Sequence, residues 1–376
     1  MPLRIAGAGS CLMDIVYADV DFSSEAFRSV ASKREGDGGL SSGSFVLVRE
    51  LELFAGRPFP DILRDLVGDA LPAEDLGGSS AASLLHAARE LEGEDVELSY
   101  HGLRGKDELG ERLLERLRRA SPDSRRASLD LRRATLDLRA FRKEDGPTPS
   151  LTFLSDPRAD RGRGARCLAI EIGAAARFKS SDLRRDFFGA DIVAFGGTSL
   201  VPALHDRLQE LLPEARSRGA LTVVDAAFDY RAERRDPFGP WPLGTHDNEA
   251  DDFPGPAEAY RGCDLLVVGQ AEALRLAGCR DLGEASSFLE GSGLGAFLVD
   301  RGSGGVLAWA REARFAGLGL TELPALAPCG RGAFVGSVLA DLARQLKATP
   351  GRRLDLARAA DAARAAARAA AAGAAP

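Results

Sequence analysis

Short apolar segments running into glycines recur along the chain: LRIAGAG (3–9), VELSYHG (96–102), CLAIEIG (167–173), DIVAFGG (191–197), LTVVDAA (221–227), DLLVVG (264–269) and AFLVDRG (296–302). Such runs predict buried strands ending at turns. Between several of them, apolar residues fall at i, i+3, i+4 spacing, over 80–92, 107–119, 202–217, 270–277 and 333–346. That spacing predicts helices. Strands alternating with helices of this length predict βαβ units and a doubly wound, mainly parallel α/β sheet. Two stretches break the rhythm. Residues 21–75 show no clear period, and 122–166 carry alternating segments that suit a small β-lid over the sheet edge. Residues 236–256, rich in Pro, Gly and Trp, read as a long surface loop. The last 20 residues hold 14 alanines with Arg358, Arg364 and Arg368 between them, which predicts a solvated terminal helix or tail. The expected division is one domain over 1–346, with the lid drawn from parts of 15–75 and 122–172, and an Ala/Arg-rich segment over 347–376.

Composition narrows the function classes. The 376 residues carry 49 Lys+Arg against 56 Asp+Glu, a net charge of −7. That balance argues against nucleic acid or an anionic membrane as partner. No apolar run is long enough to cross a bilayer, and the N-terminus lacks the features of a secretory signal, so a cytoplasmic protein is expected. Five single cysteines, with no CxxC, suggest neither a disulfide framework nor a zinc site, and the four histidines do not cluster. No metal site is expected from these residues.

Four Gly-rich turns could carry chemistry. Gly7-Ala8-Gly9 leads to Asp14, which could accept hydrogen bonds from substrate hydroxyls; a merely solvated Asp is the bland alternative. Gly102 to Gly110 follows a strand and opens a helix, with Asp107 placed to cap it. Gly302 to Gly305 could let backbone approach a flat ligand, or simply close a hairpin. Gly330-Arg331-Gly332 stands before a long helical run. There the free N–H groups and the dipole suit an anion, and Arg331 adds a cation. Cys329 beside that turn reads as structural.

In this order and spacing, over roughly residues 3–346, these segments resemble the ribokinase (pfkB) family of carbohydrate and nucleoside kinases. Asp14 matches the hydroxyl-binding Asp after the first strand. Gly77-Gly78-Ser79-Ser80-Ala81-Ala82 resembles the GG-containing first signature, and Gly102 to Gly110 the G-x-x-G-x-D-x-x-G segment. Arg166 to Ala175 resembles the lid-side stretch ending in Gly-Ala, and Asp225 the strand-end Asp. Glu272 matches the last residue of N-x-x-E, and Gly302 and Gly305 the nucleotide-side glycines. Residues 327–338 resemble the second signature, D-T-x-G-A-G-D-x-F. The resemblance implies ATP and Mg²⁺ as cofactors, and phosphoryl transfer to a hydroxyl of a sugar or nucleoside. It further implies an anion hole at Gly330, Arg331 and Gly332, substrate contacts at Asp14, Gly77 and Gly78, and nucleotide contacts at Glu272, Gly302 and Gly305. A homodimer through the lid is a further expectation. Yet the general-base Asp is absent: Gly332 is followed by Ala333-Phe334. Ala327 stands for the first Asp of that signature, and Gly269 for the Asn of N-x-x-E. Two functions follow: an ATP-dependent kinase, or a non-catalytic pseudokinase that binds a sugar, nucleoside, nucleotide or protein partner.

Overall fold

The computed structural model describes residues 2–34, 36–121, 135–227, 258–324 and 330–363. The expected loop over 236–256, Ala327, Cys329, His246 and the tail beyond residue 363 lie outside them. A first sheet has nine strands in the order β14-β13-β12-β11-β10-β9-β1-β5-β6. Its members are β1 (Leu3–Gly9), β5 (Val96–Gly105), β6 (Leu136–Glu144), β9 (Ile192–Gly196), β10 (Leu221–Asp225), β11 (Leu265–Gly269), β12 (Ala296–Asp300), β13 (Val306–Ala310) and β14 (Leu318–Leu323). Pairing is parallel from β6 through β12, and β13 and β14 return antiparallel.

Both faces of this sheet are covered, which is why its strands read as unbroken apolar runs. Ile5, Leu98, Val223 and Val267 point into one core with α4 (Ser79–Glu90), α5 (Glu108–Ala120) and α9 (Arg331–Ala348). Ala6, Val193, Val224 and Val268 alternate into the other, with α6 (Leu208–Ser217), α7 (Gln270–Ala277) and α8 (Leu282–Gly291). The single helix expected over 202–217 is split, with Pro202–His205 forming a separate turn before α6. From β1 the chain winds to β5 and β6 on one side, and from β9 to β12 on the other. The strand order therefore reverses between β1 and β9, the place where doubly wound sheets take their ligands.

The second sheet, order β3-β8-β7-β2-β4, is the lid. It comprises β2 (Leu12–Tyr17), β3 (Phe45–Leu47), β4 (Ala73–Gly77), β7 (Ser150–Asp156) and β8 (Ala165–Glu171). Of the stretch expected to be lid, β6 belongs elsewhere: it pairs with β5 as the edge of the main sheet. Residues 21–75 hold three short helices, α1 (Glu25–Val30), α2 (Val48–Ala55) and α3 (Phe59–Val67). Their apolar sides, among them Phe27, Val30, Leu51 and Ile62, pack on Leu154, Cys167 and Ala169 of the lid. Leu12 of β2, Leu47 of β3 and Ile170 of β8 face the main domain instead.

Candidate functional site at the strand ends

Parallel pairing places the carboxyl ends of β1, β9, β10, β11 and β12 along one edge, at Gly9, Gly196, Asp225, Gly269 and Asp300. At the reversal point β1 and β9 touch. A Cβ on Gly9, whose φ is +139°, would stand 1.9 Å from the Gly196 carbonyl oxygen, so only glycine fits. Ser10 N–H donates to that carbonyl at 2.8 Å. The Ser10 hydroxyl accepts from the Ser79 N–H at the start of α4 at 3.1 Å. The Ser79 hydroxyl is buried there without a partner. Composition alone gave Ser10 and Ser79 no distinguishing mark.

Asp14 lies on β2 of the lid, not in a loop beyond β1, opposite Asp75 of β4 and Leu151 of β7. Leu151 in turn pairs with Ile170. Register therefore puts Asp14 on the lid face that looks at the main domain. Its carboxylate lies against Gly77, where a Cβ would meet Oδ1 at 2.2 Å. Asp14 and the Gly77-Gly78 turn are thus brought together. Burial, with the Asp75 charge adding to it, pushes the Asp14 carboxyl up from 3.8 to about 6. A second acid on this side, Glu171 at the end of β8, is also pushed up, chiefly by burial. Its Oε1 accepts from the Gly173 N–H at 2.7 Å. Glu171 was not singled out in the sequence, although an acid closing an apolar strand was a usable signal.

Between lid and main domain is a cavity of about 10 Å³, lined by Ser10, Cys11, Leu12, Glu171 and Leu200 among others. That is room for one water. A space of that size is too small for a sugar or nucleoside. A larger open groove, about 800 Å³, runs along α5 beside Asp75, Arg112 and Arg116. Its arginines pair with Glu74, at 3.0 Å for Arg112 and 3.5 Å for Arg116, which marks a solvated charged face.

At the glycine turn before α9, the cation expected at Arg331 is paired. Gly330 is the N-cap, extended at φ −62° and ψ 147°, and Arg331 is the first helical residue. Gly330 C=O accepts from the N–H groups of Ala333 and Phe334, leaving those of Arg331 and Gly332 without an intrahelical acceptor. Arg331 reaches across to the end of β10. Its Nε and Nη2 donate to Asp225 Oδ1 at 2.9 and 2.7 Å. Asp225 is almost wholly buried, and its Oδ2 has no partner. Gly269, at the end of β11, lies beside Arg331: a Cβ there would be 4.0 Å from Nη1, an ordinary contact distance. Gly332 has a packing role as well, since a Cβ on it would lie 2.6 Å from the Cβ of Ala82 on α4.

No acidic residue occupies the first turn of α9. Asp341, further along, is buried and held by Arg358 at 3.1 Å and by the Gln345 amide at 2.7 Å. Glu272, in the first turn of α7, bonds to Arg275 at 2.6 Å. Gly302 and Gly305 form the turn of the β12–β13 hairpin, where the Gly305 N–H donates to Gly302 C=O. Asp107 caps α5 as expected, accepting from the Gly110 N–H at 2.8 Å. Of the described histidines, His101 is pushed down to about 4 by burial, and His86 and His205 bond to Ser337 and Thr198.

No protein-family model and no curated protein matches the chain. Solved structures do. The adenosine kinase of Anopheles gambiae in complex with P1,P4-di(adenosine-5) tetraphosphate is 18% identical, with TM-score 0.63, over 97% of this chain and 94% of its own. The adenosine kinase of Schistosoma mansoni with 2-fluoroadenosine is 13% identical, with TM-score 0.62, over 96% and 93%. A putative ribokinase II of E. coli, in complex with ATP and Mg²⁺, is 14% identical, with TM-score 0.57, over 97% and 92%. At such identities the likeness speaks for architecture, and the α/β sheet with its β-lid, matched over nearly the whole chain, is the ribokinase-family fold.

Proposed function

We propose that this protein is a non-catalytic, nucleotide-binding relative in form of the sugar and nucleoside kinases, keeping their cleft without their general base. The observation that carries this reading is the Arg331–Asp225 bridge at the start of α9. Phosphoryl transfer needs positioning, charge neutralisation and a carboxylate able to take the hydroxyl proton. Here the first turn of α9 holds Arg331, Gly332 and Ala333. The acid bonded to this turn, Asp225, has one oxygen engaged by the guanidinium and the other buried. Binding is better provided for. The unpaired N–H groups at the helix start suit a phosphate, and Asp14 beside Gly77 suits a hydroxyl of a sugar or nucleoside.

The test is an ATP-dependent phosphorylation assay with Mg²⁺ over a panel of sugars and nucleosides, run beside binding measurements. Loss of general-base assistance costs about 10²–10⁴-fold. Turnover should therefore fall at least about 10²-fold below the roughly 1–100 s⁻¹ usual for kinases, while nucleotide still binds. The double variant R331A/A333D restores Gly-Ala-Gly-Asp at the turn and is expected to gain at least about tenfold in phosphotransfer. Parent turnover near 1 s⁻¹ would establish the kinase reading in its place.

A further inference from the structure

Phosphate groups brought together at a sheet edge need countercharge, and Mg²⁺ held by carboxylates is the usual supplier. The fold implies that ion, and the described residues here do not fit it. A magnesium ligand must offer an oxygen free to approach to about 2.0–2.1 Å in near-octahedral array. Of the described acids at this edge, Asp225 ends β10, Glu272 lies in the first turn of α7 and Asp300 ends β12. An arginine holds each of the first two, and Asp300 Oδ1 accepts from the Gly302 N–H. Asp225 Oδ1 takes two N–H bonds from Arg331, and Glu272 takes one from Arg275. The remaining Asp225 oxygen is buried and unpartnered. Gly269 contributes no side chain.

We infer that Arg331 supplies, as a fixed guanidinium, the positive charge that a divalent cation would otherwise bring, so that this chain binds nucleotide phosphates without metal. The inference rests on the nucleotide-binding reading above. Two positions make the arrangement together. Arg331 provides the cation at the helix start, and Asp225 anchors it from β10. A guanidinium is permanently charged and presents a planar fork of donors. With Nε and Nη2 turned to Asp225, the Nη1 edge remains on the β11 side for a phosphate oxygen.

Calorimetric titration of the full chain with ADP and with ATP, in EDTA and in Mg²⁺, tests this. Affinities should agree within about threefold, and inorganic pyrophosphate in EDTA should compete. R331A should lose more than tenfold in EDTA and recover at least part of it in Mg²⁺, because Asp225 is then unclaimed. R331A/D225N should show no such recovery, and circular dichroism checks that each variant is folded. If R331A does not fold, R331K keeps the charge without the fork and should bind more weakly in EDTA than the parent. Wild-type binding more than tenfold tighter in Mg²⁺, or unchanged binding by R331A in EDTA, overturns the inference alone. No nucleotide binding in either buffer overturns the nucleotide reading and the inference with it.

Discussion

Asp14 shows how a cleft residue gives up stability for readiness. A carboxyl that ionises near 3.8 in the unfolded chain and near 6 in the native one binds its proton more tightly when folded. Its contribution to stability is complete below about pH 4 and is lost as pH rises through 6. A two-unit shift corresponds to almost 3 kcal/mol, and partial exposure to solvent reduces this to about 1–2 kcal/mol. Asp14→Asn should therefore raise the melting temperature at pH 7, leave it nearly unchanged at pH 4, and weaken binding of a nucleoside or sugar. Denaturation at the two pH values, with a ligand titration, checks both halves. A variant less stable than the parent at pH 7 would mean that Asp14 is held by partners favouring its charge. At this scale sequence showed what was local. Asp107 and Gly110, three residues apart, carried the cap in their spacing. Arg331 and Asp225 lie 106 residues apart, and nothing along the chain couples them before the sheet forms.

Among the elements, the seam between α4 and α9 decides what the glycine turn tolerates. A Cβ on Gly336 would meet both His86 Cβ and Ser83 O at 2.6 Å, as one on Gly332 would meet Ala82. These neighbours are backbone or the first side-chain atom, so only separation of the helices makes room. Gly336→Ala should cost about 1–3 kcal/mol in urea unfolding. Gly330→Ala, with nothing within 4 Å and an ordinary φ, should cost only about 0.5–1 kcal/mol, since alanine is a poorer N-cap than glycine. Equal costs would mean that the seam repacks freely. A residue inserted after Gly332 would turn these contacts by about 100° and lose them, so substitution at 333 is the sound way to add an acid there. The buried parallel strands were legible because both faces are apolar. Helices α1, α2 and α3 were not, since six to nine residues hold too few turns for a period to emerge. Strand β6 misled because its alternation suits a half-covered edge, and the main sheet has such an edge too.

Over the whole molecule, the lid's coverage bears on assembly. A lid-to-lid dimer through the outer face would have to strip α1, α2 and α3 from Leu154, Cys167 and Ala169. We therefore expect a monomer by light scattering at micromolar concentration; a dimer of twice 39.8 kDa would mean that lid edges or another surface pair instead. The Arg331–Asp225 bridge, finally, has a consequence for descent. Arg331→Ala alone strands a buried carboxylate without a counterion, a change that costs several kcal/mol when the partner is lost. Ala333→Asp alone sets a new acid beside a guanidinium already in place, where its charge is spent on that neighbour. Each single step is unrewarded, and only the two together rebuild the acidic turn. While Arg331 and Asp225 are joined, the pair resists change by one substitution at a time.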